Sequence, residues 1–589
     1  MLKSTNSVPK SKFWIMAGIV IMLHLVVVYR FFQLQILDFE LYSKRAESNR
    51  IRAISIPAPR GLILDRRGEI IVDNYPTYIL YGIGAEIRDK QKNYEIISRT
   101  TGIDIKILQK NYNNYYRNQF LPTRIAKDLT IKQLSRLEEE KNNLSGIVYK
   151  QYPERIYHQK IRASHVLGYL KEMDQNMAQE MALKGKYEFS DLIGWSGLEQ
   201  EYESTLRGKK GVTYFQVDAY GRETGKLDGQ DGILPYPGEN ISTTLDVSIQ
   251  ELLENELKGK RGVGIVSHPK TGGILAYVSA PDYTPDLFTG LVSNMDWESV
   301  IADTNRPLLN RVANGTYPPG SIFKMMVAIA LLEEKLITPQ LEILCSGSYE
   351  FYDRTFRCWN EYGHGKINLE QAIVQSCDVF FYNVIQKINL NNLAEYAKRF
   401  GFGLVTNIDL PAEMKGRIPN SQFMNKTYGR WGWSLGALLN ISIGQGEILV
   451  TPLQMVSYIN VLATRGKTRP LHLVKSKNIE IQKQNISQQT WDVIQLSMHK
   501  VVTDSKGTGW RSDPKIPGLK ISGKTSTAEN PHGDPHAWYI AYGEKDDEMI
   551  SVVVMVENSG NGSEVSAPIA KKVFHHYFNS VKSKLANFF

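Results

Sequence analysis

The chain has 589 residues, 42% of them hydrophobic and 22% charged, with a formal net charge of +9. That length allows more than one domain, and the apolar share excludes a largely disordered chain. A basic balance suits a partner with a negative surface, but there is no zinc-finger pattern, RNA-recognition motif or long basic run, so nucleic acid is not favoured.

Phe13–Tyr29, FWIMAGIVIMLHLVVVY, contains no acidic or basic residue other than His24, which reads as a tolerated polar residue. The stretch is near the lower length limit for a membrane span, and RFFQLQIL prolongs its apolar surface, so residues 13–31 are expected to form a transmembrane anchor. Lys3, Lys10 and Lys12 precede it, while Asp38 and Glu40 follow. Residues 1–12 are therefore expected in the cytoplasm and the bulk of the chain outside it. No small-x-small cleavage pattern follows, which favours an uncleaved anchor over a removed signal peptide or a buried core helix.

Residues 45–240 carry mixed strand and helix signals, as expected of one separate module. Pro59–Asn74, PRGLILDRRGEIIVDN, reads as strand, turn, strand, with Asp65 and Arg66 holding the turn. AKDLTIKQLSRLEEEKNN, IYHQKIRASHVLGYL and IGWSGLEQEYESTLRG read as helical, and Gly225–Asn240 as a linker. Residues 241–589 change in character. ISTTLDVSIQELLENEL is a strand running into a helix. RGVGIVSHPKTGGILAYVSAP is a hairpin turning near Pro269–Gly273. AWYIAYGE and MISVVVMVEN are strands, and PIAKKVFHHYFNSVKSKLA is a helix. Strands at both ends with helices between them imply an α+β domain.

Three Ser-x-x-Lys pairs occur, Ser267/Lys270, Ser321/Lys324 and Ser497/Lys500, about as many as chance supplies in a chain of this length. Context separates them. The first contains Pro269 and lies in the hairpin turn. The third has no turn or glycine ahead of it. Ser321 follows Pro318-Pro319-Gly320, a rigid turn that can deliver the chain sharply into an apolar helix. A serine in a first turn stands where the helix N-terminus favours negative charge, and Lys324 sits one turn further on the same face. An amine kept among Phe323, Met325 and Met326 is suited to act as a base, and a serine nucleophile needs one. The other reading makes Ser321 only the cap of a buried helix.

Ser321-Ile-Phe-Lys324, Ser376-Cys377-Asp378 and Lys524-Thr525-Ser526 resemble, in order, the three motifs of the penicillin-binding serine acyltransferases. RGLILDRRGEII, HVLGYL and GLEQEYE resemble the non-catalytic module of the class B members. Asp378 and CWNEYGHG resemble the elongation type, the penicillin-binding protein 2 branch. The resemblance implies an anchor helix and an elongated mixed α/β dimerisation or pedestal module. It also implies a C-terminal transpeptidase domain built as an antiparallel sheet with helices on both sides. It further implies that Ser321 attacks the penultimate D-alanine carbonyl of a peptidoglycan stem peptide and that Lys324 takes its proton. Ser376 and Asp378 would relay that proton and hold the substrate. Lys524 and Thr525 would anchor the terminal carboxylate, with Ser526 and Thr527 on the same strand, and the N–H groups of Ser321 and Thr527 would form the oxyanion hole. An amine from a neighbouring stem peptide then resolves the acyl-enzyme into a cross-link. Implied partners are stem peptides ending in D-Ala-D-Ala, β-lactams as inhibitors and a polytopic membrane glycosyltransferase, with the chain in the bacterial inner membrane and its bulk in the periplasm.

Ser526 stands where the family's third motif ends in glycine, so a side chain enters a place of close approach. His536 and Trp538 are candidates to line the cleft, Trp538 also reading as core. The three cysteines, Cys345, Cys358 and Cys377, fall close together with His364. An odd thiol count beside a histidine fits a closed structural zinc site, as the resemblance also implies. A Cys345–Cys358 disulfide with buried Cys377, or three free thiols, are the alternatives. No cofactor is needed for the acyl-transfer chemistry. The competing functions are a D,D-carboxypeptidase, with water as acceptor, and a catalytically impaired β-lactam-binding scaffold or receptor.

Overall fold

The computed structural model describes residues 10–43, 51–116, 118–120, 122–157, 160–173, 177, 187, 191–217, 223–226, 231–288, 294–430, 432–476 and 480–586. Helix α1 (Lys10–Phe32) continues as a π-helical turn over Gln33–Leu37, so the apolar helix runs somewhat beyond residues 13–31 at both ends. Among the described residues it is the one helix long and apolar enough to cross a membrane, and none of its most apolar stretch is buried. An all-round apolar helix left unburied by protein calls for a non-aqueous surrounding. His24 turns its Nδ1 to the Val20 carbonyl at 2.9 Å, which satisfies that nitrogen within the helix.

The chain divides into two compact units. The first comprises Met1–Pro59, Asn74–Glu154 and Gly208–Gly238; the second comprises Arg60–Asp73, Arg155–Arg207 and Glu239–Phe589. In the first unit, β1 (Ile51–Ile56) pairs antiparallel with a strand at Gly211–Val217, which pairs in turn with Glu223–Lys226. The later part of β2 (Ile70–Ile83) pairs with β3 (Pro122–Leu129). Helices α2 (Lys90–Thr101), α3 (Ile105–Tyr115) and α4 (Ile131–Glu139) pack on a core that includes Leu80, Ile97, Leu108, Ile125 and Leu137. Asp89, Asp104 and Thr130 cap these helices through their side-chain oxygens.

Three sequence readings change here. Ala126–Leu129 belong to β3, and the helix starts only after the Thr130/Gln133 capping box, because pairing with β2 overrides local helix propensity. Ile156 and Tyr157 end a strand, Ile147–Tyr157, and the helix expected over them shrinks to Ser164–Leu167. In the expected linker, Ile233 and Tyr236 bridge to Val212 and Lys209, so part of it is tied down. Residues 227–230 of that linker lie outside the described residues.

The second unit recruits two segments from the stretch read as a single module. Arg60 donates to Glu199 at 2.6 Å and to Glu203 at 2.8 Å, while Arg155 donates to Glu199 at 2.7 Å. Burial alone would raise the Glu199 pKa, but the two guanidiniums hold it below the ordinary value. Asp65 accepts from the amides of Arg67 and Glu69, which fixes the turn as expected, and Arg66 pairs with Asp246 at 2.9 Å.

The main sheet of this unit has five antiparallel strands. Labelled along the chain, they are β4 (Gly262–Ser267), β5 (Ile274–Ala280), β6 (Lys520–Ala528), β7 (His536–Lys545) and β8 (Glu548–Val556), in the spatial order β5-β4-β8-β7-β6. Alternate residues face opposite layers. Trp538, Ile540, Val553 and Met555 pack with α6 (Lys324–Glu333), α8 (Pro452–Ala463) and α9 (Gln488–Thr503). Tyr539, Ala541, Val552 and Val554 pack with α5 (Val247–Glu256) and α10 (Ser566–Ala586). Strands covered on both faces explain the near-continuous apolar runs AWYIAY and ISVVVMV. Strand β6 forms the free edge of the sheet, and it carries Lys524, Thr525, Ser526 and Thr527.

Candidate active site

Ser321 sits in a single 3-10 turn, Gly320–Phe323, that feeds α6. Every residue from Lys324 to Leu331 is buried, so α6 is a central core helix and Lys324 enters it as a fully buried amine. Its Nζ donates to the Ser376 carbonyl at 2.7 Å, to Ser376 Oγ at 3.2 Å and to Asp378 Oδ1 at 2.7 Å. Ser321 Oγ makes no hydrogen bond among the described residues and is half-buried, so the helix-cap reading finds no support: the turn has no side-chain cap.

Ser376 owes its position to a helix end. The helix Leu369–Val374 stops with Ser376 N–H bonded to the Ile373 carbonyl at 3.3 Å and Cys377 N–H bonded to the Ala372 carbonyl at 2.9 Å. This paired closure normally places glycine in the left-handed conformation. Here Ser376 adopts φ 55°, and its hydroxyl accepts from the Lys324 and Lys524 amines. Asp378 opens α7 (Asp378–Val384), where the helix N-terminus favours its negative charge. Its second oxygen accepts from the Trp359 amide at 3.0 Å, and the Trp359 indole donates to the Gln375 carbonyl at 3.0 Å.

Lys524 reaches the same hydroxyl from the sheet edge, donating to Ser376 Oγ at 2.9 Å and to the Thr525 carbonyl at 3.0 Å. Burial pushes the Lys524 pKa well down, and repulsion from Lys324 adds to this against the opposing pull of Asp378. Thr525 Oγ1 donates to Thr508 Oγ1 at 2.7 Å, and Thr527 is exposed. Ser526 Oγ turns inward and donates to the Pro319 carbonyl at 2.9 Å. Of the residues expected to meet substrate on this strand, Ser526 thus presents its hydroxyl to the protein.

The other two Ser-x-x-Lys pairs have structural partners. Ser267 Oγ donates to Asn460 within the core, and Lys270 reaches the Asp547 carbonyl. Ser497 Oγ bonds back to the Val493 carbonyl in α9, and Lys500 pairs with Glu370. Trp538 is fully buried against Tyr317, and His536 accepts from the Asn558 amide while facing the same tyrosine ring.

Cys345, Cys358, His364 and Cys377 converge beside this cleft, with their ligand atoms all within 4.8 Å of one another. All three cysteines are buried and none is in a disulfide. His364 Nδ1 faces Cys345 Sγ at 3.5 Å and Cys358 Sγ at 3.6 Å. Contact with the Cys377 thiol draws the Cys358 pKa down, and the same contact raises that of Cys377. Three thiols and one imidazole, buried and mutually facing, suit a tetrahedral Cys3His centre.

Two site residues escaped the sequence reading. The Gly444 carbonyl accepts from Gly320 N–H at 3.0 Å. Trp359 lies within CWNEYGHG but offered no sign that its amide would meet Asp378. For Gly444 the only available signal was the Gly-Gln-Gly run at 444–446.

Residues 262–575 match the family described as penicillin binding protein transpeptidase domain, and residues 55–243 match the penicillin-binding protein dimerisation domain. The peptidoglycan D,D-transpeptidase MrdA of Haemophilus influenzae is 29% identical over 94% of this chain and 89% of its own length. MrdA of Escherichia coli K12 is 28% identical over 94% of this chain and 91% of its own. A penicillin-binding protein (PBP2) solved in complex with MreC from Helicobacter pylori aligns with a TM-score of 0.80 at 27% identity, covering 90% of this chain and 100% of that one. A chain from a peptidoglycan synthase complex aligns with a TM-score of 0.73 at 28% identity, covering 97% and 99%.

Proposed function

Since the chain belongs to the penicillin-binding protein transpeptidase family and is a peptidoglycan D,D-transpeptidase, we propose that it works through an acyl-enzyme on Ser321. The observation that carries this reading is the meeting of three sequence-distant motifs on one hydroxyl. Lys324 and Lys524 both donate to Ser376 Oγ, and Ser321 lies one turn before Lys324.

Ser321 Oγ attacks the carbonyl carbon of the penultimate D-alanine and gives its proton to the Lys324 amine. Asp378 and Ser376 hold that amine, and the Ser376 hydroxyl links it to Lys524 for proton relay. The N–H groups of Ser321 and Thr527 stabilise the oxyanion. The peptide bond to the terminal D-alanine breaks, its nitrogen is protonated, and D-alanine leaves. Thr525 and Thr527 receive the substrate carboxylate. An acceptor amine then attacks the ester, forms the cross-link and returns the proton to the Ser321 oxygen. Neither the D,D-carboxypeptidase nor the scaffold reading is favoured, because the relatives carry transpeptidase names and the site keeps its nucleophile, its base and both bridging groups.

The direct test incubates the full-length protein in detergent with uncross-linked glycan strands bearing D-Ala-D-Ala stems. Peptide dimers accompanied by stoichiometric D-alanine release are expected. Shortened stems without dimers would make it a carboxypeptidase, and neither product would make it a scaffold.

Cys345, Cys358, His364 and Cys377 would hold a structural zinc ion that closes the lobe carrying Trp359 and Cys377, and so braces Ser376 and Asp378. We place α1 across the inner membrane with residues 1–12 in the cytoplasm, and we draw the boundary between the dimerisation module and the transpeptidase domain near residue 240. The role fits cell elongation and shape maintenance. The Helicobacter complex with MreC and the peptidoglycan synthase complex support a polytopic glycosyltransferase and a MreC-type protein as partners.

A further inference from the structure

The turn that presents Ser321 is held from two sides. On one side Gly320 N–H donates to the Gly444 carbonyl at 3.0 Å. A Cβ on Gly444, which has φ 73°, would stand 2.2 Å from the Gly320 carbonyl oxygen, so backbone meets backbone there. On the other side the Ser526 hydroxyl donates to the Pro319 carbonyl at 2.9 Å, with Ser526 only 3% exposed. A Cβ on Gly320 would lie 2.3 Å from Ser526 Oγ, whereas the next nearest atoms, those of Ala528, lie at 3.4 Å. Ser526 is therefore the group that fills the space above the Gly320 backbone.

Position along the strand gives this contact its meaning. Lys524 and Ser526 are two residues apart in β6, so their side chains share a face. Lys524 joins that face to Ser376, and Ser526 joins it to the residue two before the nucleophile. Thr527 follows Ser526 directly.

We propose that Ser526 is a positioning residue, a latch that fixes the edge strand β6 against the Pro318-Pro319-Gly320 turn. The latch sets the spacing between the Thr527 and Ser321 N–H groups. It acts through those groups and does not touch the reacting atoms. This inference rests on Ser321 being the acylated residue and on those two N–H groups receiving the oxyanion.

The test is stopped-flow acylation of the full-length protein in detergent by a fluorescent penicillin. It separates the saturating acylation rate from the dissociation constant of the complex that precedes it, and melting temperatures are recorded alongside. Ser526→Ala and Ser526→Gly are each expected to slow the saturating rate about tenfold, the effect of misplacing one stabilising donor, while the dissociation constant stays within about twofold. A lowered melting temperature with an unchanged rate would overturn the latch. So would a loss carried entirely by the dissociation constant, since that would place Ser526 on the ligand. Failure of the unsubstituted protein to acylate at Ser321 would sink the serine reading itself. Acylation that is equally fast in both variants would sink only the latch.

Discussion

Ser376 takes a left-handed backbone conformation that costs an L-residue about 1–2 kcal/mol, at a helix end where glycine would be unstrained. Its hydroxyl justifies that cost by joining the two lysines. Ser376→Gly is accordingly expected to raise stability by about 1 kcal/mol in urea unfolding while lowering acylation by about a hundredfold or more. A glycine variant that kept its activity would remove Ser376 from the relay. Lys524 has a depressed folded pKa, so the unfolded chain holds more protons than the folded one between that pKa and 10.5. Its burial therefore costs most at low pH, and the cost fades as pH rises through that window. Lys524→Met is expected to be more stable than the parent at neutral and lower pH, with the difference shrinking toward pH 10. A pH-independent difference in urea unfolding would contradict this. Each of these side chains was recognisable from Ser-x-x-Lys, Ser-Cys-Asp and Lys-Thr-Ser. Their bonds were not, because Ser376 and Lys524 are 148 residues apart in sequence. Nothing local in Lys-Thr-Ser showed that the Ser526 hydroxyl would bend away from the substrate face to a proline carbonyl.

At the scale of elements, the groups proposed for catalysis depend on short connections more than on long helices. The helix end at Ser376 sets the hydroxyl that meets both lysines, the turn at Gly320 sets Ser321, and the Cys/His lobe carries Trp359 to Asp378. Gly444→Ala would drive a methyl group into the Gly320 carbonyl. It is expected to destabilise the protein by about 2 kcal/mol and to slow acylation by about a hundredfold, both readable from thermal melts and stopped-flow traces. In the lobe, one zinc ion per chain is expected by metal analysis. Cys358→Ser is expected to release it, lower the melting temperature and slow acylation at least tenfold through Trp359 and Asp378. A metal-free protein with parental stability and rate would rule the ion out. The hairpin and the apolar strands of the main sheet were legible because short continuous apolar runs and turn residues are local signals. The end of β3 was not, since AKDL has helical propensity and only pairing with β2 makes it a strand.

For the whole molecule, the apolar run located the long apolar helix to within a few residues, because length and hydropathy are collective properties that survive local error. A periplasm-dependent reporter is expected to be active when fused after Phe589 and silent when fused before Met1; the reverse pattern would invert the topology. The division into two units was less legible. Arg60–Asp73 and Arg155–Arg207 are joined to each other by the buried Arg60–Glu199–Arg155 cluster and to the residues after Glu239 by the Arg66–Asp246 and Arg162–Asp282 pairs, and charge partners more than 100 residues apart, such as Arg66 and Asp246, leave no local trace. All of these arrangements bear on one residue, and the most direct measurement is the intact mass of the protein after exposure to a penicillin, followed by peptide mapping. A single adduct on the peptide carrying Ser321, absent in Ser321→Ala and unchanged in Ser497→Ala, is the expected result. No adduct, or one that survives Ser321→Ala, would contradict the serine acyl-enzyme.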